Sequence, residues 1–220
     1  MNADRCRAAI LISGSGTNLQ AFIDRGAANE LDLDICVVIS NRTDALGLNR
    51  AEKAGIVTDC IDHMAFEDRE SFDRALAASL DRYRPDLVIL AGFMRILSPW
   101  FVEHYDGRIL NIHPALLPAY PGLDTHQRVL DAGERFHGST VHFVTTELDA
   151  GPPVLQGRIT IGAEDTALKL LQRVQAVEHQ IYPEAANWFA TGRLELRGRQ
   201  AWLDGKRLME PVVADFSQLQ

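Results

Sequence analysis

Short apolar runs alternate with segments of helical period along the first half of the chain. Arg7 to Ser13 (RAAILIS) is apolar at its centre and stops at glycines, so it reads as a buried strand. A helix pattern follows, with Leu19, Phe22 and Ile23 on one face. Leu33 to Ser40 is a second strand, Asp44 to Ala54 a helix ended by Gly55, and Val57 to Ile61 a shorter third strand. Glu67 to Tyr83 is a longer helix, for which Phe66, Phe72, Leu76 and Leu80 supply the apolar stripe. Asp86 to Ala91 is a fourth strand, and Gly92 to Leu97 the loop that leaves it. Ser98-Pro99 opens a short helix, with proline at the favoured first position, and Arg108 to His113 is a fifth strand. Continuous apolar strands separated by helices predict an α/β protein. Its core is a Rossmann-like, mostly parallel twisted sheet with helices on both faces.

The second half is less regular. Asp124 to Ala132 reads as a helix with Gly133 as its C-cap. Gly138 to Val144 sets Thr140, His142 and Val144 on one face of a strand, against Ser139, Val141 and Phe143. Thr145 to Gly151 is an acidic loop and Pro153 to Ile161 another strand. Asp165 or Thr166 caps a long helix through Leu168, Leu171, Val174 and Ile181, which Pro183 is expected to kink or divide. Leu194 to Leu196 and Gln200 to Leu203 form a small hairpin before a polar tail. With no repeat, low-complexity segment or linker, residues 1–220 read as one domain, in two halves of about 1–105 and 106–220.

Composition narrows the function classes. The 220 residues are 46% hydrophobic and 24% charged, ordinary for a globular protein. A net charge of −8 disfavours a nucleic-acid or anionic-membrane surface. It leaves room for a small anionic ligand at a locally positive site. Cys6, Cys36 and Cys60 show no CxxC spacing, so they read as buried free thiols in a reducing compartment. No apolar run approaches the roughly 20 residues that span a bilayer, and no leader pattern opens the chain. The reading is a cytoplasmic protein.

Two stretches carry chemistry. GSGTN, at Gly14 to Asn18, joins a strand to a helix, whose free N–H groups and positive dipole end favour an anion. Leu19 replaces the third glycine of a dinucleotide fingerprint, and no Gly-Lys-Ser/Thr follows, so one phosphate suits the turn better than a pyrophosphate. A plain turn capped by Thr17 or Asn18 is the alternative. In ILNIHPALLPAYPG, at 109–122, Asn111 and His113 point to one face of a strand that Pro114 ends. Asn111 offers amide donors to an oxygen that becomes negative. His113 can shuttle a proton or add charge stabilisation. Asp149, in the loop after a neighbouring strand, is placed to orient His113 and favour its charged form. There is no serine elbow, catalytic cysteine signature or HExxH spacing, so the reading is direct transfer of a carbonyl-type group without a metal.

Five motifs in order extend this. GSGTNLQ, AGFMRILSPWF at 91–101, LNIHPALLPAYPG at 110–122, HGSTVHFVTTELDAGP at 137–152 and VEHQIYP at 177–183 resemble the folate-dependent phosphoribosylglycinamide formyltransferases of purine synthesis. The resemblance runs up to AWLDGKRL at 201–208. It implies formyl transfer from 10-formyltetrahydrofolate to the glycinamide amine of a phosphoribosyl substrate, with no metal. It makes Asn111, His113 and Asp149 the catalytic trio. It puts the substrate phosphate on Gly16, Thr17 and Asn18, and gives Glu178 the glycinamide end. Folate would be read by Met94, Arg95, Ile96 and Leu97, and by Thr145, Thr146, Glu147, Leu148 and Asp149. Leu90, Ile96, Leu97 and Val144 would make the apolar slot, and Arg69 a further folate contact. His137 matches a histidine near the active site. The implied partners are small molecules, for a monomer or a homodimer.

One departure stands out: Ala150 precedes Gly151 where the family commonly has two glycines. A left-handed residue 150 would then be strained by about 1 kcal/mol. Two relatives of the same trio are the alternatives. Formyltetrahydrofolate deformylase usually adds an N-terminal regulatory domain, and methionyl-tRNA formyltransferase a C-terminal tRNA-binding domain. A nucleotide-binding oxidoreductase would need an acidic residue ending the second strand, where Ser40-Asn41 stands.

Overall fold

The computed structural model describes residues 5–218. Strands and helices alternate from the start: β1 (Cys6–Ile12), α1 (Thr17–Ala27), β2 (Leu33–Ser40), α2 (Leu46–Lys53), β3 (Thr58–Cys60), α3 (Arg69–Tyr83), β4 (Leu87–Leu90), α4 (Pro99–His104) and β5 (Ile109–His113). Then come α5 (Thr125–Asp131), β6 (Phe136–Phe143), β7 (Pro153–Thr160), α6 (Ala167–Ala190), β8 (Leu194–Arg197), β9 (Gln200–Leu203), β10 (Lys206–Arg207) and β11 (Val212–Asp215). Eight strands form one sheet in the order β11-β7-β6-β5-β4-β1-β2-β3. Strands β3, β2, β1, β4 and β5 are parallel, and β6 runs antiparallel to β5 and β7. This is the Rossmann-like, mostly parallel sheet that the pattern predicts.

Alternation along β1 explains the two cores. Ala8, Ile10 and Ile12 pack with Leu19 and Phe22 of α1 and Val174, Val177 and Ile181 of α6. Ala9 and Leu11 pack on the other face with Phe72, Leu76 and Leu80 of α3 and Phe101 of α4. The chain leaves β1 toward β2 and returns on its other side as β4. That reversal opens a crevice at the carboxyl ends of β1 and β4, where open α/β sheets bind ligands.

Four details depart from the sequence reading. The tail after residue 210 is not merely polar: β11 adds in parallel to β7 as the edge of the large sheet. The hairpin is a three-stranded sheet, β10-β9-β8. Helix α6 runs unbroken through Pro183, which is buried. Tyr182, beside it, donates its hydroxyl to the Leu90 and Leu110 carbonyls, at 3.1 and 2.9 Å, anchoring the helix on the ends of β4 and β5. The three free cysteines are half-buried rather than buried.

Candidate active site

Gly16 turns the chain from β1 into α1. Its φ of +70° is left-handed, and a Cβ there would come within 2.7 Å of the Gly47 Cα, so only glycine fits without strain. Gly14 meets neither constraint. No side chain caps α1, so neither Thr17 nor Asn18 consumes the first-turn N–H groups. Asn18 instead donates its amide to Glu178 Oε2 at 2.9 Å, across 160 residues of sequence. Ser139 of β6 donates to Glu178 Oε1 at 3.0 Å. Glu178 is buried, and that burial pushes its carboxyl above the usual range, with both hydrogen bonds opposing. Far from a solvated helix charge, it faces a cavity of about 340 Å³ that Ser13 to Asn18, Met94, Ile112, Pro114 and His126 help to line.

Asn111 and His113 project from the opposite face of β5 to Ile112, so they lie across the strand end from this cavity. His113 is 5% exposed. Its Nδ1 is 3.5 Å from Asp149 Oδ2, and its Nε2 lies 2.9 Å from the Tyr120 carbonyl. Asp149 also accepts the Gly122 N–H at 3.0 Å, linking the loop after β6 to the loop after β5. The β5–β6 register sets Asn111 opposite His142 and His113 opposite Thr140. Asn111 Nδ2 and His142 Nε2 are 3.1 Å apart.

The left-handed residue in the loop after β6 is Asp149, at φ 51°, and Ala150 does not have a positive φ. The strain expected of Ala150 is therefore absent. Gly151 is the position that needs glycine, because a Cβ would lie 1.8 Å from the Phe143 carbonyl oxygen.

His137 is buried and shares a 2.8 Å hydrogen bond with His126, which lines the cavity. Burial, then His126 and His113, press His137 down to about 4. Among the apolar-slot residues, Leu90, Leu97 and Val144 pack in one cluster, while Ile96 is 55% exposed at the loop surface. Arg95 stacks on Phe72 at 4.9 Å. Met94, Thr146, Glu147 and Leu148 are exposed, and Thr145 is half-buried. Arg69 opens α3 from an exposed position, close enough to steady the buried Asp73 carboxylate. Ser139, His142 and His126 are the site residues that the sequence reading left unassigned. For His142 a signal existed: it shares a strand face with Thr140, in the strand expected beside β5. Among the described residues no group of three or more His, Cys, Asp or Glu side chains is disposed to hold a metal.

A strand-end crevice with the uncapped first turn of α1 on one side and a paired histidine and carboxylate on the other has the arrangement of a group-transfer site. The formyl transferase model matches residues 6–186, and the chain belongs to that family. Phosphoribosylglycinamide formyltransferase of Escherichia coli K12 is 53% identical over 199 residues, covering 90% of this chain and 94% of that protein. The enzyme of the same name from Haemophilus influenzae is 46% identical, over 91% of this chain and 94% of its own length. The Coxiella burnetii phosphoribosylglycinamide formyltransferase structure superposes with a TM-score of 0.90 at 50% identity, covering 96% of this chain and 99% of that one. A formyltetrahydrofolate deformylase from Pseudomonas syringae superposes at 0.84 with 25% identity, covering 91% of this chain and 66% of that one. Among the described residues no helix is long and apolar enough to cross a membrane.

Proposed function

We propose that this enzyme transfers the formyl group of 10-formyltetrahydrofolate to the glycinamide amine of 5-phosphoribosylglycinamide. The observation that carries this reading is the end of β5. One face of that strand end borders the Gly16–Asn18 turn and Glu178, and the other carries Asn111 and His113 against Asp149. A substrate with a phosphate at one end and an amine at the other fits across it. The phosphate takes the free N–H groups of α1, and Glu178 takes the amine end. Folate lies against Leu90, Leu97 and Val144, read by the backbone of 94–97 and 145–149.

The amine nitrogen attacks the formyl carbon and the carbonyl oxygen becomes an oxyanion. Asn111 donates an N–H to it, and protonated His113 adds the Nε2–H, exchanging the Tyr120 carbonyl for the reacting oxygen. Asp149 holds the imidazolium through Nδ1. The carbon–nitrogen bond to folate then breaks. The proton lost by the amine ends on the folate nitrogen, carried through water beside Asp149.

The test is incubation with both substrates, following loss of formylfolate. Loss that requires the amine, with formylated product, is the expected result. Loss at the same rate without the amine would reassign the site to hydrolysis, the reaction named by the deformylase neighbour.

A further inference from the structure

We infer that His142 is a positioning residue: as a fixed hydrogen-bond acceptor it holds the Asn111 amide with nitrogen toward β6, leaving the second N–H for the reacting oxygen. This rests on the role proposed for Asn111. An asparagine amide is nearly symmetrical in shape, so packing alone does not choose which end faces a substrate. The choice matters here. An amide N–H stabilises an oxyanion, whereas an amide oxygen in its place repels one.

His142 makes the choice through its tautomer. The ring is buried, 2% exposed. Its Nδ1 lies 2.9 Å from the Phe143 carbonyl, which can only accept, so Nδ1 carries the hydrogen. A neutral imidazole then has a lone pair on Nε2, the atom 3.1 Å from Asn111 Nδ2. That lone pair accepts an N–H and would repel the amide oxygen. Burial also presses the ring toward its neutral form, down to about 4, with the Phe143 carbonyl and Asp149 opposing and His113 assisting. The cross-strand pairing of Asn111 with His142 keeps the two side chains on one face of the sheet.

The experiment compares His142→Phe, His142→Gln, Asn111→Ala and the double variant Asn111→Ala/His142→Phe by steady-state kinetics. It adds ¹⁵N NMR of the wild-type ring. His142→Phe is expected to lower kcat by about tenfold or more, with both KM values held within about threefold. His142→Gln, whose amide oxygen can accept in place of Nε2, is expected to restore most of that loss. In the Asn111→Ala background the Phe substitution should add less than about a twofold loss, since the two act as one unit. NMR should find hydrogen on Nδ1 and none on Nε2 at neutral pH, a result independent of whether any variant folds. Hydrogen on Nε2 would overturn the inference. So would a normal kcat for His142→Phe beside an impaired Asn111→Ala, or multiplied losses in the double variant. Wild-type turnover of Asn111→Ala would instead remove Asn111 from the proposed chemistry, and the positioning role with it.

Discussion

The two sides of the β5 strand end are built differently. In the proposed phosphate cradle the left-handed backbone falls on glycine, at Gly16, where it costs little. In the two loops beside His113 it falls on one glycine, Gly122, and also on Tyr120, Asp124 and Asp149, at φ 55°, 57° and 51°. Such non-glycine residues cost of order 1–2 kcal/mol each and persist only where surrounding contacts impose them. Here those contacts are the Gly122 N–H on Asp149 and the Tyr120 carbonyl beside His113. The backbone of the turn at Gly16 is relaxed. The loops are held under tension around the groups to which chemistry is assigned. A relaxed turn proposed to bind and strained loops proposed to flank the chemistry should therefore respond differently to substitution.

The largest effect is expected on the strained side. His113→Ala removes the proposed charge stabilisation, worth ~100- to 10,000-fold in rate for a positioned acid or base. Turnover should fall over that range while KM for the phosphorylated substrate changes little, as read by steady-state kinetics. A fall in KM-dependent terms alone would erase the distinction between the two sides.

Glu178→Gln tests the cradle and should move the opposite quantities. The proposed charge-assisted contact to the amine would be worth about 1.5–3 kcal/mol, so on losing it KM for the amine substrate should rise about 10- to 100-fold. Stability should rise. Burial holds the Glu178 carboxyl above its ordinary range, so its favourable contribution is complete below the unfolded pKa of 4.5 and is lost as pH rises through the folded value. At pH 8 a neutral glutamine escapes that cost. Asn18 can rotate its amide to meet it, because Asn18 Oδ1 has no partner among the described residues. The expected signature is a higher Tm at pH 8 with weaker substrate use. A lower Tm would mean that the carboxylate stabilises the fold as well as the complex.

The His126–His137 pair sharpens the comparison through pH. Burial lowers both rings from 6.5, His137 to about 4. The unfolded chain therefore binds more protons than the folded one between those values. Unfolding free energy should fall as pH drops below 6.5, and the His137 contribution should level off near 4. Denaturant unfolding at pH 7.5, 6 and 5 should record the fall, and His137→Gln should flatten it. An equal slope in the variant would remove the pair from the acid response.

How much of this was legible in the sequence follows the same division. Strands β1, β4, β5 and the second half of β2 announced themselves because they are buried on both faces, and the proposed cradle because Gly16, Thr17 and Asn18 are adjacent. Strand β11 left little trace: its Val212 and Val213 are exposed on a sheet edge, so backbone pairing rather than burial defines it. Pro183 does not divide α6, which is anchored by packing and by Tyr182, contacts that local propensity does not record. No local pattern marks Glu178, and only the resemblance singles it out, since its partners Asn18 and Ser139 lie 160 and 39 residues away. His142 was visible as one member of an alternating strand, but its partner depended on a cross-strand register that no local pattern encodes.

Ala150 joins these lines in the smallest expected effect. Sequence comparison with the family's paired glycines suggests that Ala150→Gly should relieve strain. The loop geometry says otherwise, because the left-handed residue is Asp149, and the position that cannot bear a Cβ is Gly151. Glycine at 150 would remove no clash and would enlarge the conformational freedom of the unfolded chain, at a cost of about 0.4–1 kcal/mol. The variant should therefore unfold at slightly lower denaturant, with KM for folate unchanged within about twofold, a shift below about 0.4 kcal/mol. A gain in stability would locate hidden strain at residue 150 and move the boundary of the tensioned loop by one position.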